Sequence, residues 1–209
     1  MNKQSLLFAV VLLMVIGCRK VPDYEELKNE QVVATDRDLQ ANFASYTTYH
    51  ISDTVSYVSE NPKDSIITGP GAQELVAAVK TNMNARGYTF VARGASPNLA
   101  LRLTVIKDVT RTAVCGGWWD GWWGYYPPGW WGYPGWGYYY PWCTSYNYSV
   151  GTSMLYMYDL KNAGSNNNLR AIWGATMFGV FSTSSNSTNI TLTKNAINQA
   201  FSQSAYIKR

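Results

Sequence analysis

The part of the sequence that departs most from an ordinary globular chain lies between Cys115 and Cys143 and reads CGGWWDGWWGYYPPGWWGYPGWGYYYPWC. These 29 residues include eight of the nine tryptophans, six tyrosines, eight glycines and four prolines. Glycine and proline interrupt helices and strands, so this segment cannot form one continuous regular element. Contiguous exposed aromatic surface commonly marks an interaction site. The composition therefore predicts an aromatic insert that contacts something, without naming the ligand.

The N-terminus predicts an exported lipoprotein. A basic start is followed by an unbroken apolar run from Leu6 to Ile16. The run is too short to span a bilayer, which needs about 20 residues, but it suits a secretory signal. It ends in Val15-Ile16-Gly17-Cys18, which resembles the bacterial lipobox. The resemblance implies that residues 1–17 are removed and that Cys18 carries acyl chains, which anchor stably when there are two or more. An ordinary signal peptide or an uncleaved anchor, with a chance cysteine, is the alternative.

The three cysteines fit this compartment. If Cys18 carries lipid, Cys115 and Cys143 remain to form a disulfide, which persists outside the cytosol. Closing a loop of that length is worth roughly 3.5 kcal/mol in the chain-entropy treatment. The alternative, a two-cysteine metal site, lacks further ligands because the single histidine, His50, is far away in sequence.

The remainder of the chain predicts one tether and one domain. Residues 18–30 are the lipidated N-terminus and a charged, apolar-poor tether, and residues 31–209 suit a single domain. The order of predicted elements is strands, a helix, four strands and a final helix. This order predicts an α+β fold in which two helices pack on one face of a mainly antiparallel sheet. The insert, residues 116–142, would form the tip of a hairpin with the two cysteines at its neck, so that its 27 residues could be deleted without loss of the fold.

Two elements are the most clearly patterned. A helix is predicted to open at Gly69-Pro70-Gly71 and to stop at Gly87, with one apolar face formed by Ala72, Leu75, Val76, Val79 and Met83. A long strand from Asn98 to Thr112 places Leu99, Leu101, Leu103 and Val105 on one face. The final helix is predicted to begin near Asn189 as its N-cap, and Trp173 is predicted to lie in the core.

Short motifs in a fixed order resemble a known family. They are Ala41 to Tyr49 (ANFASYTTY), Gly87-Tyr88, Ser96-Pro97-Asn98-Leu99, Gly151 to Asp159 and Leu169 to Gly174 (LRAIWG). Together with the lipobox they resemble the bacterial envelope lipoproteins of domain of unknown function 4136, common in Bacteroidota. The resemblance covers roughly residues 31 to 205, with Asn98 where aspartate is more usual. It implies a fold and an envelope location, and it implies no activity.

The sequence predicts no enzyme. His50 lies in a predicted strand beside polar residues and is interpreted as a surface histidine, and no nucleophile elbow, phosphate loop or metal-spaced cluster is present. We therefore expect no catalytic residues, no metal and no cofactor. The formal charge of +4 is spread thinly over the chain, so no nucleic-acid partner is expected.

Two short motifs are candidates for O-glycosylation. Asp53-Thr54-Val55 and Asp64-Ser65-Ile66 resemble the Asp-Ser/Thr-aliphatic sites at which Bacteroidota modify exported proteins. Both lie near or within one predicted polar loop, so Thr54 and Ser65 are the candidate acceptors.

The candidate binding residues are the rings of the insert: Trp118, Trp119, Trp122, Trp123, Tyr125, Tyr126, Trp130, Trp131, Tyr133, Trp136, Tyr138, Tyr139, Tyr140 and Trp142. One interpretation is contact with a membrane or envelope surface, where Trp and Tyr favour the headgroup zone. A second is glycan or peptidoglycan binding by stacking on sugar rings, and a third is assembly with a protein partner. The alternative is a self-packed aromatic plug that covers the sheet. In each case we expect a lipoprotein attached to the outer membrane by N-terminal acyl chains and facing the periplasm, with exposure on the cell surface as the alternative.

Overall fold

The computed structural model describes residues 31–58, 66–106, 111–113, 126–142, 146–148, 151–164, 166–181 and 184–209. These residues belong to one compact unit, Gln31–Arg209. The predictions for Cys18, Cys115, Cys143 and Ser65 lie outside the described residues. Within them the strands are β1 (Val32–Arg37), β2 (Thr48–Ile51), β3 (Val55–Val58), β4 (Ile66–Ile67), β5 (Thr89–Phe90), β6 (Leu99–Ile106), β7 (Arg111–Ala113), β8 (Gly137–Tyr139), β9 (Tyr146–Tyr148), β10 (Ser153–Asp159) and β11 (Asn168–Phe178), and the helices are α1 (Pro70–Ala85) and α2 (Asn186–Gln203).

Nine of these strands form a mixed sheet with the central order β1-β11-β10-β6-β2-β5. β11 pairs in antiparallel fashion with β1 on one side and with β10 on the other, and β10 pairs in the same way with β6. β2 and β3, however, both pair in parallel with β6, one after the other along the same edge. The prediction of an α+β fold is confirmed, whereas the prediction of a mainly antiparallel sheet is wrong. The reason is that α1 lies between β3 and β6 in the chain, and a helical crossover returns the chain in the same direction.

The two helices cover one face of the sheet as predicted. α1 buries the five apolar residues that its periodicity indicated, from Ala72 to Met83, and Gly87 follows its end with a φ of 89°. α2 starts earlier than predicted: Ser185 is its N-cap and accepts a hydrogen bond from the Thr188 backbone N–H, while Asn189 lies buried inside the helix. Leu99, Leu101, Leu103 and Val105 face this helical layer, together with Trp173.

The opposite face of the sheet is also buried, as the interpretation of the insert as an aromatic plug on the sheet requires. Every residue of β6 and β10 is buried, including those between the predicted core positions, such as Ala100 and Arg102. Residues 126–142, here called the aromatic layer, cover this face and pack on Ala100, Tyr158, Leu169 and their neighbours. The described part of the insert is therefore a third layer of the domain and not a free hairpin tip. Because its rings are part of the core, we expect removal of the insert to destabilise the fold, contrary to the sequence-based expectation.

The position of the insert between two neighbouring strands is confirmed. β6 and β10 are antiparallel neighbours, and the insert connects them. Within that connection β7 pairs with β9 in a separate two-stranded antiparallel sheet, with Ala113 opposite Tyr146. This ladder ends two residues before Cys115 and starts three residues after Cys143. β7 and β9 thus form a short antiparallel ladder at the base of the insert, and the two cysteines are close to this ladder in sequence.

Candidate functional site

Nine of the fourteen predicted binding rings fall within the described residues, and most of them are packed. Tyr126, Trp131, Tyr138 and Tyr140 are buried, and Trp130, Tyr133, Trp136 and Trp142 are half-buried. Tyr139 is 49% exposed. The remaining five, Trp118, Trp119, Trp122, Trp123 and Tyr125, lie outside the described residues. For residues 126–142 the interpretation as an aromatic plug on the sheet is correct, and it accounts for the four buried rings.

Local turns and hydrogen bonds fix the aromatic layer. Residues Pro128–Trp131 form a 3-10 turn that ends at Gly132, whose φ of 102° suits a residue without a β-carbon. The hydroxyl of Tyr138 accepts a hydrogen bond from Trp131 Nε1 at 2.9 Å and donates one to the carbonyl oxygen of Tyr126 at 2.6 Å. β8 then pairs in parallel with β11 beyond the end of β1, which ties the layer to the edge of the sheet.

A buried arginine lies under this layer. Arg102, on β6, is 6% exposed, and its guanidinium carbon is 4.7 Å from the ring centroid of Tyr138 and 5.4 Å from that of Tyr158. Its Nη2 donates to the Tyr140 hydroxyl at 3.4 Å, whereas its Nε has no partner among the described residues. No carboxylate within the described residues pairs with it. The arginine is therefore held by ring faces and a hydroxyl, a cation–π arrangement that is strengthened by exclusion of water.

At neutral pH the arginine of this cluster is charged and its tyrosines are neutral. Burial raises the pKa of Tyr138 to about 12 and raises the pKa of Tyr158 well above its usual value, so both hydroxyls stay protonated. Burial lowers the pKa of Arg102, but the surrounding tyrosine oxygens outweigh it and hold that pKa above its ordinary value. Sequence patterning could not reveal this role, because an arginine at an even position of an alternating strand is typical of a solvent-facing residue.

An open groove runs between the aromatic layer and two neighbouring loops. It has a volume of about 750 Å³ and is lined by the rings of Trp130, Trp131 and Tyr133 and by Arg93, Gly94, Ser96, Pro97, Asn98, Gly132, Leu160 and Lys161. The two indole rings are nearly perpendicular, with centroids 4.6 Å apart. The Tyr133 hydroxyl donates to the carbonyl oxygen of Leu160 at 3.1 Å, which joins the layer to the second loop.

Two cations stand at the rim of the groove. The guanidinium of Arg93 lies 4.5 Å above the ring centroid of Trp130, and its Nη1 donates to the Trp130 carbonyl oxygen at 2.6 Å. Lys161 Nζ donates to the carbonyl oxygen of Ser45 at 2.7 Å. Both cations are thus held in place by neutral oxygens, and neither forms an ion pair with a described carboxylate.

Asn98 joins the two loops that form the groove. Its Oδ1 accepts hydrogen bonds from the backbone N–H and the hydroxyl of Thr47, each at 2.9 Å. Its carbonyl oxygen accepts from the backbone N–H groups of Leu160 and Lys161. An aspartate could accept the same two bonds from Thr47, so asparagine at this position preserves the geometry. Ser96, two residues earlier, has a left-handed backbone with a φ of 50°, which is uncommon for a residue other than glycine.

His50 is not the surface histidine that the sequence suggested. It is half-buried, its ring stacks on Phe90 at a centroid distance of 5.4 Å, and the rings of Trp130 and Trp131 lie 5.8 and 6.0 Å away. Its Nδ1 donates to the carbonyl oxygen of Val91 at 2.8 Å, which defines the tautomer. Burial lowers the pKa of His50, and this effect outweighs the hydrogen bond to Val91 and the field of Asp53; Lys80 and Arg93 lower the pKa further. The imidazole is therefore a neutral support under the aromatic layer.

This packing predicts a pH-dependent stability. Because the folded-state pKa of His50 lies below the unfolded value of about 6.5, the unfolded chain binds the proton more readily, and stability decreases as pH falls through that window. We expect the free energy of unfolding, measured by urea denaturation between about pH 5 and pH 8, to lose a component in acid that His50→Gln lacks. The difference between the two proteins isolates this component from carboxylate titration. A constant difference at all pH values would show that His50 titrates equally in both states.

The candidate glycosylation residue Thr54 is already hydrogen-bonded. It lies in the break between β2 and β3, and its hydroxyl contacts the Tyr126 hydroxyl and lies 3.2 Å from Ser52 Oγ. It is half-buried. A glycan on Thr54 would require the Tyr126 contact to break, so modification there would compete with docking of the aromatic layer.

The described residues contain neither a cluster of metal ligands nor a membrane-spanning helix. Within them no three His, Cys, Asp or Glu side chains approach one another closely enough to hold a metal ion. Neither helix in that part of the chain combines the length and apolarity needed to cross a membrane.

Comparison with known proteins places the domain in a family. The family described as "Domain of unknown function (DUF4136)" matches residues 33–204. No curated protein matches the sequence. A crystal structure of a DUF4136 family protein from Bacteroides thetaiotaomicron is similar with a TM-score of 0.73 and 33% identity, over 85% of this chain and 97% of that chain.

Two further solved structures are more distant. A PelC dodecamer from Paraburkholderia phytofirmans has 12% identity and a TM-score of 0.40, over 86% of this chain and 98% of that one. A PDZ domain protein from Parabacteroides distasonis has 12% identity and a TM-score of 0.43, over 86% of this chain and 37% of that one. The family match and the Bacteroides structure agree with the motifs recognised in the sequence. The chain therefore belongs to the DUF4136 family.

Proposed function

We propose that this chain is a non-enzymatic, lipid-anchored protein of the cell envelope that binds a carbohydrate in the groove of the aromatic layer. The observation that carries the proposal is the groove itself, in which Trp130, Trp131 and Tyr133 present rings beside polar loop residues. Concave sites that combine aromatic walls with a few polar groups are typical of small-ligand binding. Flat rings stack on the apolar faces of sugars, while the surrounding donors bind their oxygens.

The packing of the rings favours this ligand class over a lipid surface. Insertion into the headgroup zone requires exposed Trp and Tyr side chains. In the described part of the insert, Tyr139 is the sole exposed ring, and the buried rings direct their polar atoms inward, as Trp131 does towards Tyr138. Membrane or protein contact by the insert remains the alternative and is an outcome of the experiments below.

The non-enzymatic character is supported by the environment of the histidine. Nδ1 of His50 is occupied by the Val91 carbonyl, and the ring is enclosed by Phe90, Trp130 and Trp131. A general base needs a position within reach of a substrate proton. The envelope location rests on the N-terminal signal and on Cys18. The proposed disulfide between Cys115 and Cys143 is supported by the pairing of β7 with β9. Cys115 lies two residues after β7, and Cys143 lies three residues before β9.

The proposal predicts that the full chain, in detergent, binds envelope polysaccharide or soluble peptidoglycan fragments and that Trp130→Ala weakens this binding at least about tenfold. The reason is that an aromatic anchor in a small site contributes more than about 1.4 kcal/mol, and that amount is a factor of ten in affinity. Calorimetric titration provides the measurement.

Tyr139→Ala is the matched control, because Tyr139 lies in the same layer but does not line the groove. It should bind as the parent does. Near-ultraviolet circular dichroism verifies that Trp130→Ala keeps the aromatic layer in place. Equal binding by the two variants would refute the groove as the site, and absence of any saccharide binding would refute the function.

A further inference from the structure

We propose that the saccharide recognised by the groove is acidic, carrying carboxylate or phosphate groups that Arg93 and Lys161 bind. This inference rests on the proposed function and adds the chemical class of the ligand. The described lining of the groove contains two cations and no carboxylate. A concave surface with one sign of charge attracts ligands of the opposite sign and raises their association rate.

The nearest carboxylate in the sequence is turned away from this role. Asp159 precedes Leu160 and Lys161 but is 6% exposed. Its carboxylate accepts hydrogen bonds from the Tyr46 hydroxyl at 2.7 Å and from the backbone and side-chain nitrogens of Asn162, each at 2.8 Å. The carboxylate of Asp159 is therefore bound by Tyr46 and Asn162 and does not pair with Lys161.

The two groove cations are oriented without being neutralised. Arg93 uses one of its five N–H donors on the Trp130 carbonyl, and Lys161 uses one of three on the Ser45 carbonyl. Three other described cations, by contrast, form ion pairs: Lys80 with Asp53, Arg170 with Asp38 and Lys194 with Glu74. Positioning a cation with neutral acceptors leaves its charge available and lowers the entropic cost of binding an anion.

The uncharged polar groups of the groove have the same bias towards donors. The side-chain oxygen of Asn98 is occupied by two hydrogen bonds from Thr47, so the amide has its NH₂ group left to offer. The carbonyl oxygens of Leu160 and Trp130 also accept bonds from within the protein, from Tyr133 and Arg93. These oxygens are therefore less available to the donating hydroxyls of a neutral sugar. Carboxylates and phosphates accept only, and they match the groups that remain.

The experiment compares saccharides that differ in charge alone. Oligogalacturonate, alginate and hyaluronan oligosaccharides are each titrated into the full chain in detergent, beside their methyl-esterified neutral forms. We expect at least one acidic form to bind about tenfold or more tightly than its ester, since hydrogen bonds to charged groups contribute about twice as much as neutral ones. The preference should shrink at high salt, which screens exposed charges.

Two variants tie the preference to the groove. Lys161→Gln should remove most of the discrimination between acid and ester, because it lowers the affinity for the acid far more than the affinity for the ester. Lys194→Gln is the matched control, because Lys194 lies on α2 and pairs with Glu74. Arg93→Gln should lower the affinity for both forms, because Arg93 also supports the ring of Trp130.

The outcomes separate this inference from the proposed function. Equal binding of acids and esters, sensitive to Trp130→Ala, would overturn the inference and leave carbohydrate binding standing. Absence of binding by all six saccharides, and by the envelope polysaccharide and peptidoglycan fragments of the first experiment, would overturn both. Vesicles of phosphatidylglycerol form the final arm: binding to them that depends on Lys161, with no saccharide binding, would make the ligand an anionic lipid surface and would overturn the acidic saccharide.

Discussion

Deletion of Gly116 to Trp142 is expected to leave a chain that aggregates or fails to fold cooperatively. The four buried rings of the aromatic layer, Tyr126, Trp131, Tyr138 and Tyr140, would be lost together. Removal of one buried aromatic side chain costs about 3–5 kcal/mol, and small domains are stable by about 5–15 kcal/mol in total. The deletion also exposes the apolar second face of β10 and β11 and the unpaired edge of β11. Size-exclusion chromatography and urea denaturation of the deletion, joined by a short Gly-Ser linker, measure the outcome.

Single substitutions measure how much individual rings of the aromatic layer contribute to the free energy of unfolding. Tyr138→Ala should lower the free energy of unfolding by about 3–5 kcal/mol, because it removes a buried ring that stacks on Tyr158 at 4.2 Å and on the guanidinium of Arg102. Tyr139→Ala, the neighbouring exposed position, should stay within about 0.5 kcal/mol of the parent. A deletion that remains monomeric and unfolds at the parent's urea concentration would show that the sheet does not depend on the aromatic layer.

Elements whose buried residues follow a single helical or strand periodicity were predicted correctly from the sequence. The α1 face from Ala72 to Met83 and the alternation from Leu99 to Val105 are confirmed, because the helix and strand periods directly select the residues that face a core. Family membership also followed from motif order. These features depend on residues close together in the chain.

The features that could not be predicted from the sequence depend on contacts between residues far apart in the chain. A polar residue in an alternating strand normally indicates a solvent face, so Arg102 suggested an exposed side where the structure has a second core. Parallel pairing of β2 and β3 with β6 depends on the crossover through α1. A composition rich in glycine and proline indicated irregular backbone, correctly, but it did not decide between an aromatic plug on the sheet and an exposed binding loop.

The residues that line the groove were likewise only partly predictable from the sequence. Its rings were all among the predicted binding residues, but its polar wall comes from Arg93, Asn98 and Lys161, which belong to two loops outside the insert. None of these three stands in a motif with chemical meaning. Their convergence follows from the hydrogen bonds between Asn98 and the backbone of Leu160 and Lys161, which join loops about sixty residues apart.

Trp173→Ala is expected to destabilise the helical side of the core by about 3–5 kcal/mol, the range for removal of a buried aromatic residue. Trp173 is fully buried on β11, and its ring lies 5.2 Å from that of Phe201 on α2. Its Nε1 donates to Ser204 Oγ at 2.9 Å, directly after the end of α2. The substitution therefore removes both the packing and the hydrogen bond that attach the end of α2 to the sheet. Urea denaturation, with an unchanged dependence on urea concentration, provides the measurement.

The two contributions can be separated by a double-mutant cycle. Trp173→Phe keeps most of the volume and removes the donor, while Ser204→Ala removes the acceptor and leaves the buried indole N–H without it. Each single change should cost about 1–3 kcal/mol, and the double variant should cost less than their sum, because the second change removes a partner that is already unpaired. Strict additivity would mean that the hydrogen bond contributes nothing. A loss below about 1 kcal/mol for Trp173→Ala would contradict its position in the core, since only exposed side chains are removed at so small a cost.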